Sequence, residues 1–248
     1  MRLFFPLFAL PFLLFAIAVP AHAANPDALW QIANEKCLPN SLAAGDPAPC
    51  AMVDRESGFV ILKDLVGAAQ YLLIPTVRLS GIESRELQQA QWPNYWRHAW
   101  EQRGRVGAAL GRPLEPSQVG LEINSAAARS QLQLHIHIDC MRRDVPGLLR
   151  AHRHDPLGKW MPFMLEGHRY WVMRLEADAL QSQDPFKLAA ARSEHAANAM
   201  GAQSLLLTGA RFDGGAEGFY LINMPVNFDR GEFGSAEVLL DHDCAIAR

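Results

Sequence analysis

One stretch constrains this chain more than any other: Gln131 to Cys140, QLQLHIHIDC. It alternates. Leu132, Leu134, Ile136 and Ile138 point one way, and Gln131, Gln133, His135 and His137 point the other. A period of two is that of a β-strand buried on one side. Its apolar set must face a core. The opposite face then carries an amide and two imidazoles in a row, more than a plain solvent face requires. Asp139 is expected on the far, apolar side unless a bulge turns it.

The 248 residues, 50% hydrophobic and 20% charged with a net charge of −3, are ordinary globular composition. The balance gives no reason to expect nucleic acid as a partner. The beginning differs from the rest. Arg2 precedes seventeen uncharged residues, Leu3 to Val19, and Ala21-His22-Ala23 follows Pro20. A positive start, an apolar run and an A-x-A site are the parts of a secretory signal. We therefore read 1–23 as a signal peptide, with an uncleaved membrane anchor as the rival, and 24–248 as one domain outside the cytoplasm.

That compartment bears on Cys37, Cys50, Cys140 and Cys244. An even number in an exported chain suggests two disulfides, for which three connectivities are open. Cys37–Cys50 is preferred because the segment between them is rich in Pro, Gly and Ala and can turn. Cys140–Cys244 then ties the end of the histidine strand to the C-terminus.

Along the chain, 26–36 reads as a short helix and 37–50 as a loop. Residues 59–63 and 71–74 read as a hairpin. Residues 92–110 are roughly helical, with Trp92, Tyr95, Trp96 and Trp100 as a stripe expected in the core. Residues 119–123 are a strand, and NSAAARS at 124–130 is a loop of small residues. From Gly167 a similar pattern returns: a strand at 168–175, helix across 182–202, and a hairpin of 204–211 with 218–224. The tail 235–242 fits strand or helix.

Two imidazoles on one strand face stand roughly 6–7 Å apart at their Cα atoms. Three chemistries suit them. One is metal binding, with His152, His154, Asp139 or His168 as a third ligand. Another is nucleophilic attack on phosphorus through a phosphohistidine. The third is general-base activation of water. Asn124, Ser125, Ser130 and Gln131 surround the strand's entrance with donors, Arg129 adds charge, and a small-residue loop lets backbone N–H groups approach an anion. These favour phosphate. Lys63, Tyr71, Lys159 and Trp160 are further candidates for the pocket.

QYLLIPTVR at 70–78 and INSAAARSQLQLHIHIDC at 123–140 resemble the histidine triad superfamily. With CLPN…PAPC, GFVILKDLVGAAQYLLIPT and the terminal DHDC, nearly the whole of 24–248 resembles the bacterial CDP-diacylglycerol pyrophosphatase family. The resemblance implies an α+β, HIT-like antiparallel sheet with flanking helices, which a degenerate second HIT-like half could extend. It implies a water-dependent cut of CDP-diacylglycerol into CMP and phosphatidate, at a membrane surface on the periplasmic side, with no metal or cofactor. His135 matches the nucleophile and His137 the third histidine, while Gln133 stands where the first would be. Asn124 and Ser130 match positions that contact ribose and phosphate. A HIT-like hydrolase of soluble nucleotide diphosphate esters is the nearer alternative. A periplasmic zinc-binding module is the other; it would hold zinc stoichiometrically and release no CMP.

Overall fold

The structure, a computed structural model, describes residues 25–248. The signal or anchor segment at 1–23 lies outside the described residues. The centre is one antiparallel sheet of nine strands: β1 (Met52–Asp54), β2 (Phe59–Lys63), β3 (Tyr71–Pro75), β4 (Val119–Ile123), β5 (Ile136–Cys140), β6 (Trp160–Leu165), β7 (His168–Glu176), β8 (Gln203–Arg211) and β9 (Glu217–Pro225). Their order in space is β1-β2-β3-β5-β4-β8-β9-β7-β6. Within it one connectivity occurs twice. β2-β3-β5-β4 and β6-β7-β9-β8 each place an outer hairpin beside an inner pair whose sequence order is reversed, and β4 pairs with β8 where the two sets meet. Helices separate hairpin from inner pair in both: α3 (Tyr95–Glu101) and α4 (Gly104–Ala109) in the first, α6 (Ala179–Ser182), α7 (Pro185–Ala190) and α8 (Glu194–Asn198) in the second. The return of the pattern after Gly167 thus has a counterpart in topology.

One face of the sheet is apolar along most of its width. Leu73, Leu121, Ile136, Ile138, Leu205, Leu207 and Leu221 pack there against Tyr95 and Trp96 of α3, Val106 of α4 and Phe186 of α7. The aromatic stripe serves the core at Tyr95 and Trp96, which are fully buried. Side chains of this size contribute roughly 2–3 kcal/mol each on burial. The other face is divided. Val60, Leu62, Leu72 and Ile74 pack under the N-terminal helix with Ala33 and Cys37. Val172, Leu206, Tyr220 and Ile222 pack under α5 (Val145–Leu149) and the 3-10 turn Ala236–Leu239. Between these two apolar clusters the register sets Leu72, His137, Glu122 and Leu206 side by side. The polar pair therefore fills a gap in an otherwise hydrophobic face.

Three local features differ from the sequence reading. Helix continues beyond Cys37, from α1 (Ala28–Gln31) through a wide π-helical segment at Ile32–Cys37 into α2 (Leu38–Ala44). Pro39 has no N–H to return to the preceding turn, and the widened turn lets the helix pass it. Gly45, at φ 69°, ends it. Regular strand pairing begins at Ile136 rather than Gln131, because the amides of Leu132 and Leu134 are diverted to the carbonyls of Pro26 and Leu79. Leu132 is exposed, whereas Gln133, His135 and His137 are buried: the polar face is an interior one. Both expected disulfides, Cys37–Cys50 and Cys140–Cys244, are formed.

Candidate active site

His135 enters β5 with its ring held by its own chain. Its Nδ1 lies 2.8 Å from the carbonyl oxygen of Gln133. A carbonyl only accepts, so Nδ1 carries the proton, and in the neutral ring Nε2 keeps a free lone pair. Burial disfavours the imidazolium and lowers the ring's pKa, against partial opposition from that carbonyl. A neutral imidazole with one nitrogen fixed and the other free is an activated nucleophile.

The His137 ring is tilted against it, with centroids 5.0 Å apart. Burial and then the neighbouring His135 lower its pKa to about 4. Among the described residues neither of its ring nitrogens has a hydrogen-bond partner. Its Nε2 is 3.9 Å from Glu122 Oε2, and its Nδ1 is 3.8 Å from Glu237 Oε1. Glu122 is fully buried on β4; it accepts from Ser204 Oγ, and its other oxygen is unpartnered. Burial, reinforced by the charge of Glu237, raises its pKa well above the usual carboxylate range, so it is held as a neutral acid.

Glu237 and His242 come from the C-terminal segment. Asp139 is on the histidine face, not the apolar one, as its odd register with His135 and His137 requires. No bulge is needed. Its Oδ2 accepts from His242 Nδ1 at 2.7 Å, and His242 Nε2 is 3.3 Å from Glu237 Oε1. The other oxygen of Glu237 accepts from Asn124 Nδ2 at 2.7 Å. Burial alone would raise the pKa of Glu237; His137, the Asn124 bond and His242 outweigh it and keep the group ionised. Burial would lower that of His242, but Asp139 and Glu237 raise it. The result is a chain Asp139–His242–Glu237 that ends beside the His137 ring. Sequence reasoning missed Glu237 and His242. The signal available was the disulfide: pairing Cys140 with Cys244 brings His242 to the residue preceding Cys140.

The other expected site residues divide. Asn124 is at the site. Gln133 is beside it, but its side chain is structural: Nε2 donates to the carbonyls of Pro75 and Val77, both at 3.0 Å, and Oε1 accepts from Leu79 N. Arg129 lines a narrow cleft with Gly81, Asn124 and His135, yet its guanidinium is paired with Glu83 at 2.5 and 2.6 Å. Gln131 ties down the N-terminal helix through Leu29 N and Asn25 O. Ser130 is exposed. The loop does not offer a run of free amides: those of Ser125, Ala126, Ala127, Ala128 and Arg129 are all spent on internal bonds. Of the pocket candidates, Lys63 donates to the carbonyls of Asp64 and Gly67, and Trp160 to that of Leu188.

Of the expected third metal ligands, His152, His154 and His168 are engaged elsewhere, with Asp155, Asp213 and Glu232, and Asp139 is bonded to His242. Glu122, His137 and Glu237 each bring one donor atom to within 4.8 Å of the others, which is the set that could receive a cation. Both oxygens of Glu237 already face donors, whereas Glu122 Oε2 and both ring nitrogens of His137 are unpartnered.

Comparison with known proteins agrees with the sequence resemblance. The family model described as CDP-diacylglycerol pyrophosphatase matches residues 24–248. A protein of Yersinia pestis named CDP-diacylglycerol pyrophosphatase is 40% identical over 225 residues, covering 90% of this chain and 86% of that protein.

Proposed function

The chain belongs to the CDP-diacylglycerol pyrophosphatase family, and from that premise we propose that it is a hydrolase that cuts the pyrophosphate bond of CDP-diacylglycerol to CMP and phosphatidate through a nucleotidyl-histidine at His135. The observation that carries the reading is the bond between His135 Nδ1 and the Gln133 carbonyl. It fixes the tautomer that attack on phosphorus needs. The ring's burial keeps it unprotonated at neutral pH.

His135 Nε2 attacks the phosphorus bearing cytidine, and the bond to the bridging oxygen breaks with its electrons leaving on phosphatidate. A phosphate monoester is a good leaving group, so little protonation is needed. Water then attacks the same phosphorus, the N–P bond returns its electrons to Nε2, and CMP departs. His137 stands beside the phosphoryl group as a hydrogen-bond partner for its oxygens. Asn124 contacts the nucleotide through Oδ1, the atom of its amide left unpaired. Gln133 fills the place of a first triad histidine through its main chain; its side chain supports the loop Pro75–Leu79. The histidine triad, HIT-like reading of the fold rests on this constellation and on the sequence resemblance.

Two disulfides suit an oxidising compartment. The apolar leading run, Leu3 to Val19, and a substrate with two acyl chains suit the periplasmic face of the inner membrane. No helix among the described residues is long and apolar enough to cross a bilayer. The test compares rates on CDP-diacylglycerol with those on soluble nucleotide diphosphate esters, for the wild type and His135→Ala. The expected result is preference for the lipid nucleotide and loss of CMP release in the variant at unchanged thermal stability. Wild-type turnover by His135→Ala would reject the nucleophile, and equal or faster cleavage of the soluble esters would reject the lipid substrate.

A further inference from the structure

We infer that Glu237 is the general base for the second half of the reaction, taking the proton from the water that cleaves the nucleotidyl-histidine, and that His242 and Asp139 are positioning residues that aim it. The inference rests on the His135 nucleophile proposed above.

Glu237 meets the demands of that step in place, access and orientation. Its Oε1 is 3.8 Å from His137 Nδ1, on the face that carries His135. Its side chain is 29% exposed, whereas Glu122 is sealed at 0%, so of the two carboxylates beside the imidazoles only Glu237 can meet solvent water. Its Oε2 is pinned by Asn124 at 2.7 Å and its Oε1 faces His242 Nε2 at 3.3 Å. His242 is fixed in turn by Asp139 at 2.7 Å. A base held by an oriented third group is the arrangement by which a positioned side chain takes a proton. The Cys140–Cys244 bond closes this structure: Cys140 follows Asp139 directly, and Cys244 stands two residues after His242.

After phosphatidate has left, a water oxygen forms a bond to the cytidylyl phosphorus on the vacated side. One water proton passes to Glu237 Oε1 and the other remains on the new P–OH. The N–P bond breaks, and its electron pair returns to His135 Nε2. Nδ1 keeps its proton throughout, and Glu237 releases its own to solvent. Glu237 is not needed for the first step, in which no water reacts.

Glu237→Gln keeps the size of the side chain and an acceptor for Asn124 but removes the base. We expect CMP release to fall about a hundredfold or more, while the first release of phosphatidate persists as a burst. The protein should gain the mass of one cytidylyl group, seen by intact mass spectrometry after a neutral quench because a phosphoramidate is acid-labile. His242→Asn should slow the same step and leave the burst intact; a merely structural histidine would slow both steps together. Unchanged turnover by Glu237→Gln would overturn the inference. So would a fall in phosphatidate and CMP release in step, without adduct. Failure of the underlying reading looks different: phosphatidate is released normally, yet no adduct forms on the wild type or on either variant, and His135→Ala still turns over.

Discussion

Gln133 occupies a position where a catalytic side chain was expected, and the structure makes it a strut. Replacing it by leucine keeps the volume and removes three hydrogen bonds. Nε2 holds the carbonyls of Pro75 and Val77, and Oε1 holds the amide of Leu79. Val77 is 41% exposed and its carbonyl can turn to water, but Pro75 and Leu79 are buried. Two buried groups left without partners cost about 1–3 kcal/mol each, or about 4 kcal/mol together at mid-range. With a urea m-value of about 2–3 kcal/mol per molar, the midpoint falls by roughly 1.3–2 M. Gln133→His, which would restore a histidine at the first triad position, should also destabilise, since a neutral imidazole donates one hydrogen bond and cannot hold both carbonyls. The assays are urea unfolding followed by fluorescence, with steady-state kinetics at a temperature where the variants remain folded. Gln133→Leu should then bind substrate with nearly unchanged KM and show a reduced kcat, because the main chain that orients His135 has lost its support. Wild-type stability combined with a tenfold rise in KM would put the amide on the substrate and refute the reasoning.

The buried histidines make an acid-sensitive fold. His137 is neutral in both folded and unfolded chains at neutral pH, but below its unfolded value of 6.5 the unfolded chain takes up a proton that the folded one refuses until about pH 4. The stability it contributes is therefore complete above about pH 6.5 and is lost as the pH falls toward about 4, about 2–3 kcal/mol by about pH 4.5. The loss measured by urea unfolding should be smaller by that amount in His137→Gln, and equal acid sensitivity of the two proteins would contradict it. The Cys140–Cys244 bond closes a loop with a sequence separation of 104 residues. Replacing both cysteines by alanine should lower stability by roughly 4–5 kcal/mol on the chain-entropy relation. The pre-steady-state burst of phosphatidate should persist while steady-state CMP release falls as His242 loses its place; a burst slowed by the same factor as CMP release would sever the bond from the second step.

Much of this architecture was legible because it depends on short-range pattern. The part of the alternation at 136–140, the hairpins at 59–74 and 204–224, the strand at 119–123 and the aromatic helix each follow from spacing within one element. Compartment and turn-forming composition were enough to pair the cysteines. What escaped depends on contacts far apart in sequence. The helix at 38–44 carries Pro39 and small residues that locally suit a loop and buries no side chain of its own; it continues the turn Ile32–Cys37, whose Ala33 and Cys37 pack on the sheet face. Arg129 could be read as a cation but not as one already neutralised by Glu83, 46 residues away. Gln133 and Gln131 present the same amide in the sequence, and only the fold decides that both are spent on the backbone. Glu237 sits in a segment whose period suits neither strand nor helix clearly, and it is a 3-10 turn.

The repeated connectivity explains how that turn reaches the histidines. In the first set of strands the second sheet face opens into a polar gap at Glu122 and His137. In the second set the neighbouring positions Leu206 and Ile222 are apolar and covered, so that half has no counterpart of the site. Its face is instead a platform. Ala236 and Leu239 bury themselves on it beside Leu206 and Ile222, and the Ala236 amide is bonded to Ser204 Oγ, which also donates to Glu122. A 3-10 turn anchored at Ala236 and Leu239 must project the residues between them away from the platform. Of these, Glu237 faces the gap while Val238 is exposed. One hydroxyl thus couples the platform to the buried acid, and one turn carries the solvent-reachable carboxylate across the β4–β8 junction. On this arrangement the apolar half is not a vestige of a second site but the fixture that sets Glu237 against His137. Loosening it at Leu239 should disturb the water-dependent step before it disturbs the attack by His135.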